Sequence, residues 1–162
     1  MNTPIKSDNI MRSSPLIITN AAQLDELVGF IHDEYFELDD ISYQKNLQVV
    51  QIPYRRIFHG GQRRLIKNWL LFKTFEVDVV RSLITVRNVE DYTFKDCAKI
   101  GTYSFNIVTY RNNNLQFDCC ENLQLNIKIS GISIESSDIE VKGKSKLTVG
   151  LFWSSNTGKV YD

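Results

Sequence analysis

The stretch that decides the fold is residues 102–129, TYSFNIVTYRNNNLQFDCCENLQLNIKI, in which apolar and polar side chains alternate. Over residues 123–129 every odd position is Leu or Ile, and every even position is Gln, Asn or Lys. Because successive side chains of a strand point to opposite faces, this period of two predicts strands with one buried face. Residues 111–114, Arg-Asn-Asn-Asn, predict a turn, since Asn tolerates the left-handed region. The stretch therefore predicts a β-hairpin followed by a further strand.

One helix is predicted near the N-terminus, over Ala21–Phe36. Asn20 and Gln23 have the spacing of a capping box, and Gly29 weakens the middle by up to about 1 kcal/mol relative to Ala. Acidic side chains fall largely on one side of this helix. Apolar residues recur on the other side at the spacing i, i+3, i+4, i+7: Leu24, Leu27, Val28, Ile31, Tyr35 and Leu38.

The segment after the helix changes to a period of two. Ile41–Tyr43 and Leu47–Gln51 predict a hairpin whose second strand continues past Pro53. Proline has no N–H to donate to a sheet, so Pro53 suits an edge or a bulge. Gly60-Gly61 predicts a break, and Leu65–Trp69 predicts either a helical turn or a loop.

The middle and the end of the chain predict more strands, divided by turns. Residues 69–88 are strand-like but too long for one typical strand, which predicts a break at Val80–Ser82. Residues 89–101 predict a polar connection with a short helical turn. Apolar alternation predicts strands around Ile134 and beyond, with Lys142–Lys146 as a basic turn.

These elements predict an α+β fold. One amphipathic helix should pack on a strongly curved, mostly antiparallel sheet of about seven or eight strands, arranged as a meander or half-open barrel. A length of 162 residues suits a single domain over 1–162, with a loose N-terminus at 1–14 and a flexible tail at 154–162. Such helix-first meanders resemble, in architecture alone, small bacterial families that include toxin-neutralising immunity proteins.

Composition narrows the class of protein. The formal net charge is zero, which argues against a nucleic-acid-binding domain, because such domains are usually strongly basic. Three cysteines without regular spacing, Cys97, Cys119 and Cys120, do not form a disulfide framework. The first 20 residues never sustain the apolar core that a signal peptide needs, and no apolar run approaches membrane-spanning length, so a cytoplasmic location and no membrane partner are expected.

The charges are segregated along the sequence. From Ser13 to Gln44 there are seven acids and no Lys or Arg, and from Lys45 to Lys73 there are seven bases and no acid. One interpretation is that the two segments form ion pairs with each other across one surface, each worth about 0–1 kcal/mol. The other is that they form separate acidic and basic faces available to partners. The sequence favours the first.

A candidate anion-binding site lies in the basic segment. Arginine forks suit carboxylate and phosphate, and adjacent glycines let backbone N–H groups approach a ligand. His59 would add a donor that becomes charged near neutral pH. The candidate binding residues are Arg55, Arg56, His59, Arg63, Arg64 and Lys67.

No catalytic constellation, metal site or cofactor is predicted. The chain has two histidines, no HExxH motif and no glycine-rich phosphate loop of known spacing. The acidic residues around His32 are interpreted as a solvated helix face rather than as metal ligands. The tail Leu151-Phe152-Trp153 is too apolar to hang free, and Phe152-Trp153 is expected to plug one end of the sheet, with an interface anchor as the alternative.

The sequence therefore favours a non-catalytic binding module that recognises another protein, with a homodimer or an immunity-type inhibitor as versions of this hypothesis. One alternative is a small-ligand carrier with a cavity between sheet and helix. A further alternative is an enzyme that acts on an anionic substrate through His59 and the neighbouring arginines.

Overall fold

The computed structural model describes residues 14–57, 63–152 and 154–156, and this part of the chain forms one α-helix and twelve β-strands. Short 3₁₀ turns span Ala21–Gln23, Leu38–Asp40, Lys45–Leu47 and Cys120–Asn122. The helix is α1 (Leu24–Ile31), and the strands are β1 (Leu16–Ile18), β2 (Tyr35–Glu37), β3 (Ser42–Gln44), β4 (Val49–Ile57), β5 (Arg64–Asn68), β6 (Phe72–Val86), β7 (Val89–Asp96), β8 (Thr102–Arg111), β9 (Asn114–Cys119), β10 (Leu123–Ile129), β11 (Ile134–Gly150) and β12 (Ser154–Asn156).

The predicted α+β class is confirmed: one short helix packs on a largely antiparallel sheet that does not close. Hydrogen-bonded neighbours follow the order β1-β11-β6-β4-β2-β8-β9-β10-β7, with β12 on β11, β3 on β4 and β5 on β6. The number of strands exceeds the predicted seven or eight. In the described part of the chain no helix is long and apolar enough to cross a membrane.

The helix is shorter than the predicted Ala21–Phe36. It ends at Ile31 because His32 takes non-helical dihedral angles, φ −55° and ψ 132°. The N–H of Asp33 then donates to the carbonyl of Phe105 at 2.9 Å. The prediction was wrong beyond Ile31, where pairing with β8 outweighs the helical spacing of apolar residues.

Several predicted interruptions are continuous strands. The strand β6 runs unbroken through Val80–Ser82, and β11 runs through Lys142–Lys146. The predicted connection 89–101 contains β7, and the predicted turn or loop at Leu65–Trp69 contains most of β5. For β6, β7 and β11 a partner strand distant in sequence supplies hydrogen bonds, and β5 pairs with β6 in a hairpin, so pairing overrides the local turn signal.

The hairpins read from alternation are confirmed. The strands β8 and β9 pair around Asn112 and Asn113, whose φ values of 51° and 61° lie in the left-handed region. The predicted hairpin at 41–51 forms from β3 and β4. The strand β4 lies between β6 and β2, so Pro53 is not on an edge strand; it falls between Gln51, the last residue paired with β3, and Arg55, which pairs with β2.

The chain divides into two compact units. Unit 2 comprises Ser14–Arg56 and Ser82–Ser137, and the described part of unit 1 comprises residue 57, 63–81, 138–152 and 154–156. The single domain expected over 1–162 stays a prediction. Of the predicted terminal segments, residues 1–13 and 157–162 lie outside the described residues, while Ser154–Asn156 forms β12.

Unit 2 is built around a cluster of aromatic rings. Phe105 of β8 stacks on Phe36 with ring centroids 4.5 Å apart, meets Tyr54 edge-on at 5.8 Å and lies 6.0 Å from Phe117. All four side chains are almost completely buried. The helix α1 packs on β8 through a buried stripe of Leu24, Leu27 and Ile31.

Unit 1 has a much smaller core. One cluster in it consists of the buried Ile57, Val77 and Leu147 with Phe75 and Val149 packed against them, and Val79 and Val80 are also buried. The hydroxyls of Thr74 and Thr148 hydrogen-bond at 3.1 Å. The described part of unit 1 thus buries fewer apolar side chains than unit 2 does.

The Tyr54 hydroxyl, buried in unit 2, hydrogen-bonds the Ser136 hydroxyl at 2.8 Å. Replacing Tyr54 with Phe should lower the free energy of unfolding by about 1–3 kcal/mol, because the Ser136 hydroxyl loses a buried partner. Urea unfolding followed by circular dichroism measures this. The control is Tyr110→Phe. The Tyr110 hydroxyl bonds Asn113 at an exposed position, and its removal should lower the free energy of unfolding by less than about 0.5 kcal/mol. Equal losses of unfolding free energy in the two variants would contradict a buried Tyr54–Ser136 hydrogen bond.

Candidate functional site

The predicted binding residues do not form one cluster. Arg55 and Arg56 lie on β4 in unit 2, whereas the other described candidates lie in unit 1: Arg63 directly before β5, and Arg64 and Lys67 within it. His59, with Gly60 and Gly61, lies outside the described residues. The anion site built from all of these side chains stays a prediction.

The two β4 arginines have internal partners in unit 2. The guanidinium of Arg55 meets the Glu37 carboxylate at 3.0 Å, and Thr102 donates to the same carboxylate at 2.7 Å. Arg56 is 8% exposed, and its guanidinium carbon lies 4.9 Å from the centroid of the Phe30 ring. Neighbouring arginines on one strand thus face opposite ways, as the period of two requires.

The predicted pairing between the acidic and basic segments is seen at Arg55 and Glu37, but it does not extend to the bases of the β5–β6 hairpin. Within the described residues, Arg64, Lys67 and Lys73 make no ion pair. All three side chains are exposed. Their positive charges therefore remain available at the surface of unit 1.

The charges also divide between the two units. Unit 2 contains eight Lys and Arg against thirteen Asp and Glu, a formal net charge of −5. The described part of unit 1 contains eight Lys and Arg against four Asp and Glu, a formal net charge of +4. The neutral chain is thus composed of an acidic unit and a basic unit.

The turn between β5 and β6 is apolar where turns are usually polar. Asn68 pairs with Lys73, and the N–H of Trp69 donates to the Phe72 carbonyl at 2.8 Å, which closes the turn. Leu70, at its apex, is 99% exposed. Tight hairpin turns favour Gly, Asn and Asp for their backbone freedom, so leucine here has no conformational advantage.

The turn between β11 and β12 has the same character. Val149 pairs with Ser154, and the described residues between them are Gly150, the last residue of β11, Leu151 and Phe152. Leu151 is 69% exposed and Phe152 is 96% exposed. The expected plug is therefore wrong for Phe152, and Trp153 lies outside the described residues.

The two turns line one groove. Its volume is about 370 Å³, and Trp69–Phe72 from one turn face Gly150 and Leu151 from the other. Phe75 and Val149 contribute further apolar walls, and Arg63 and Lys73 contribute the charged side chains. We call the exposed apolar residues of the two turns the apolar tip: Trp69, Leu70, Leu71, Leu151 and Phe152.

The lowered pKa of one carboxylate in unit 2, that of Asp96, results from hydrogen bonds within the unit. Tyr103 donates to an Asp96 oxygen at 2.5 Å, and the N–H of Lys99 donates to the same oxygen at 2.8 Å. The Tyr103 hydroxyl, and then this N–H, hold the pKa of Asp96 below its usual value. These bonds fix the loop between β7 and β8. Among the described residues no group of three or more His, Cys, Asp or Glu could hold a metal ion.

Two further groups are buried near each other on the inner side of unit 2. Burial raises the pKa of Tyr92 to about 12, with Cys119 as the second cause. Among the described residues the Tyr92 hydroxyl has no hydrogen-bond partner. Burial likewise raises the pKa of the Cys119 thiol to about 12. A thiol that resists ionisation is a poor nucleophile. Cys119 therefore serves as a packed side chain of the core rather than as a reactive group.

Comparison with models of protein families, with curated proteins and with solved structures finds no match to this chain. The apolar tip therefore has to be interpreted from its own chemistry. Sequence reasoning missed it because Trp69 was assigned to a long strand and Phe152-Trp153 to a plug. For the first turn the signal was the absence of Gly, Asn and Asp between β5 and β6, which pair as a hairpin.

The cysteines should differ sharply in reactivity. At pH 8 the exposed Cys97 should react with a disulfide reagent, whereas Cys119 should react only on unfolding. An unfolded thiol ionises near about 8.5, whereas Cys119 in the folded state stays protonated to about pH 12. Raising the pH through this interval should therefore favour unfolding. Peptide mapping by mass spectrometry identifies the modified residues, and rapid native labelling of Cys119 would contradict its assigned burial.

Proposed function

We propose that this protein is a non-catalytic binding module and that its contact surface is the apolar tip. The observation that carries the proposal is that Leu70 and Phe152, the most exposed of these side chains, are 99% and 96% solvent-accessible. Full burial of a side chain of this kind stabilises by about 1.5–3 kcal/mol. Binding of a partner that covers several of these side chains is stabilised by their burial, less the free-energy cost of ordering both surfaces.

The lining of the groove supports binding rather than catalysis. Its only charged side chains in the described part of the chain are Arg63 and Lys73, and it has no His, Cys, Asp or Glu. General acid–base and nucleophilic steps near neutral pH depend chiefly on those missing residue types. The enzyme hypothesis therefore rests on His59, which lies outside the described residues.

The carrier hypothesis requires a cavity between helix and sheet. The face of α1 that would line such a cavity is packed: Leu27 and Ile31 are 0% and 1% exposed, and both belong to the core cluster of unit 2. The groove of unit 1, by contrast, is open and apolar. It supports contact with a larger partner more than enclosure of a small ligand.

A protein partner, the class favoured by the sequence, is one candidate for this surface. Contiguous exposed apolar residues with charged neighbours are typical of interaction sites. A second copy of this chain would bury the same patch on both subunits. The apolar tip and the uncompensated bases beside it support both versions.

Photo-crosslinking tests the binding role directly. Benzoylphenylalanine placed at Leu70 should form adducts in cells that express the chain, because this position contacts the partner. The matched control carries the same group at Phe94, which is 53% exposed on unit 2. The proposal expects adducts from position 70 and few from position 94. Equal yields at the two positions, or none at either, would remove its support.

A further inference from the structure

We propose that the apolar tip docks on the surface of an anionic lipid bilayer, with nearby Lys and Arg side chains against the headgroup phosphates. This inference rests on the proposed binding role and names the class of partner. The sequence predicted no membrane partner because no apolar run is long enough to span. Docking on a bilayer surface requires no span.

The residue types of the tip match the membrane interface better than a protein interface. Exposed Leu, Phe and Trp beside Lys and Arg are typical of segments that lie in the headgroup region. The energetically dominant residues of protein interfaces are Trp, Tyr and Arg, whereas Leu is under-represented among them and Lys is depleted. The described tip has three leucines and no tyrosine, and Lys67 and Lys73 lie next to its first turn.

The charges around the tip have a single sign. Residues 63–75 and 142–156 contain seven Lys and Arg and no Asp or Glu. Lys144 pairs with Glu76 and Lys142 with Glu140, both acids lying outside these two segments. Arg64, Lys67 and Lys73 make no ion pair within the described residues. Such a surface complements anionic lipid headgroups.

The spacing of these bases suits the thickness of a headgroup layer. Lys73 follows Phe72 directly, and Lys67 precedes Trp69 by two residues. At about 3.3 Å per residue, both positions lie within roughly 7 Å of the turn along their strands. The headgroup region is about 5–8 Å deep on each side of the hydrocarbon. Apolar side chains of the turn would reach the acyl boundary while these ammonium groups meet phosphates.

The test uses the full chain and vesicles of phosphatidylcholine, either alone or with phosphatidylserine as a minority lipid. Co-sedimentation should show binding to the phosphatidylserine vesicles that weakens as salt rises, because screening reduces the attraction. Each Lys or Arg near the surface contributes roughly a fivefold gain in affinity. The double variant Lys67→Gln/Lys73→Gln should therefore bind at least about tenfold more weakly.

Two matched variants separate docking from general charge and folding effects. Lys45→Gln/Lys95→Gln removes two exposed bases of unit 2 and should bind as the unmodified chain does. Leu70→Asn/Leu71→Gly installs a favoured hairpin turn, so it should fold and yet lose vesicle binding. Unchanged binding by this turn variant, or no preference of the unmodified chain for phosphatidylserine, would overturn the inference.

The photo-crosslinking experiment distinguishes failure of this inference from failure of the proposed function. Lipid adducts at Leu70 would support both. Adducts to another protein or to a second copy of the chain would overturn the lipid inference and leave the binding role intact. The absence of adducts above the Phe94 control would overturn both.

Discussion

The contact of Phe105 with three other aromatic rings is the interaction on which unit 2 depends. This one side chain of β8 touches Phe36 of β2, Tyr54 of β4 and Phe117 of β9, so four strands share a single packing centre. Aromatic pairs of this geometry contribute about 0.5–1.5 kcal/mol beyond the burial of their area. The pairing of β2 with β8 at Phe36 and Tyr103 also explains why the chain leaves the helix soon after Ile31.

The sequence was sufficient for the parts of the fold that depend on local alternation. Strands β8, β9 and β10 and the turn at Asn112 and Asn113 follow directly from it, as does the α+β class. It was insufficient for β6 and β11, of 15 and 17 residues, since these two strands are neighbours in the sheet but lie far apart in the sequence. A partner strand can stabilise an extended conformation that local residues such as those of 142–146 do not favour.

The candidate site could be predicted only in part, and for a related reason. The basic character of 55–67 is evident in the sequence, but the assignment of its arginines to different units is not. Hydrophobic residues are buried on average, so Phe152 was expected to plug the sheet, and Leu70 was assigned to a strand-like stretch rather than to an exposed turn. Sequence alone does not distinguish a side chain buried in its own core from one that a partner would cover.

Unit 1 combines a small core with exposed apolar turns. Its described part buries five apolar side chains and exposes five others at two adjacent turns, so it is suited to contact with another surface. The surplus of basic residues in the same unit favours contact with a negatively charged surface. Unit 2, acidic and well packed, has no comparable apolar turn among its described exposed residues.

The most direct measurement follows the depth of Trp69 in the bilayer. In a Trp153→Phe variant Trp69 is the single tryptophan, and its fluorescence can be recorded with phosphatidylserine-containing vesicles whose acyl chains carry bromine near the headgroup or near the bilayer centre. We expect a blue-shifted emission that bromines near the headgroup quench more strongly than bromines near the bilayer centre. Emission that neither shifts nor is quenched, with vesicles in excess, would contradict docking through the apolar tip.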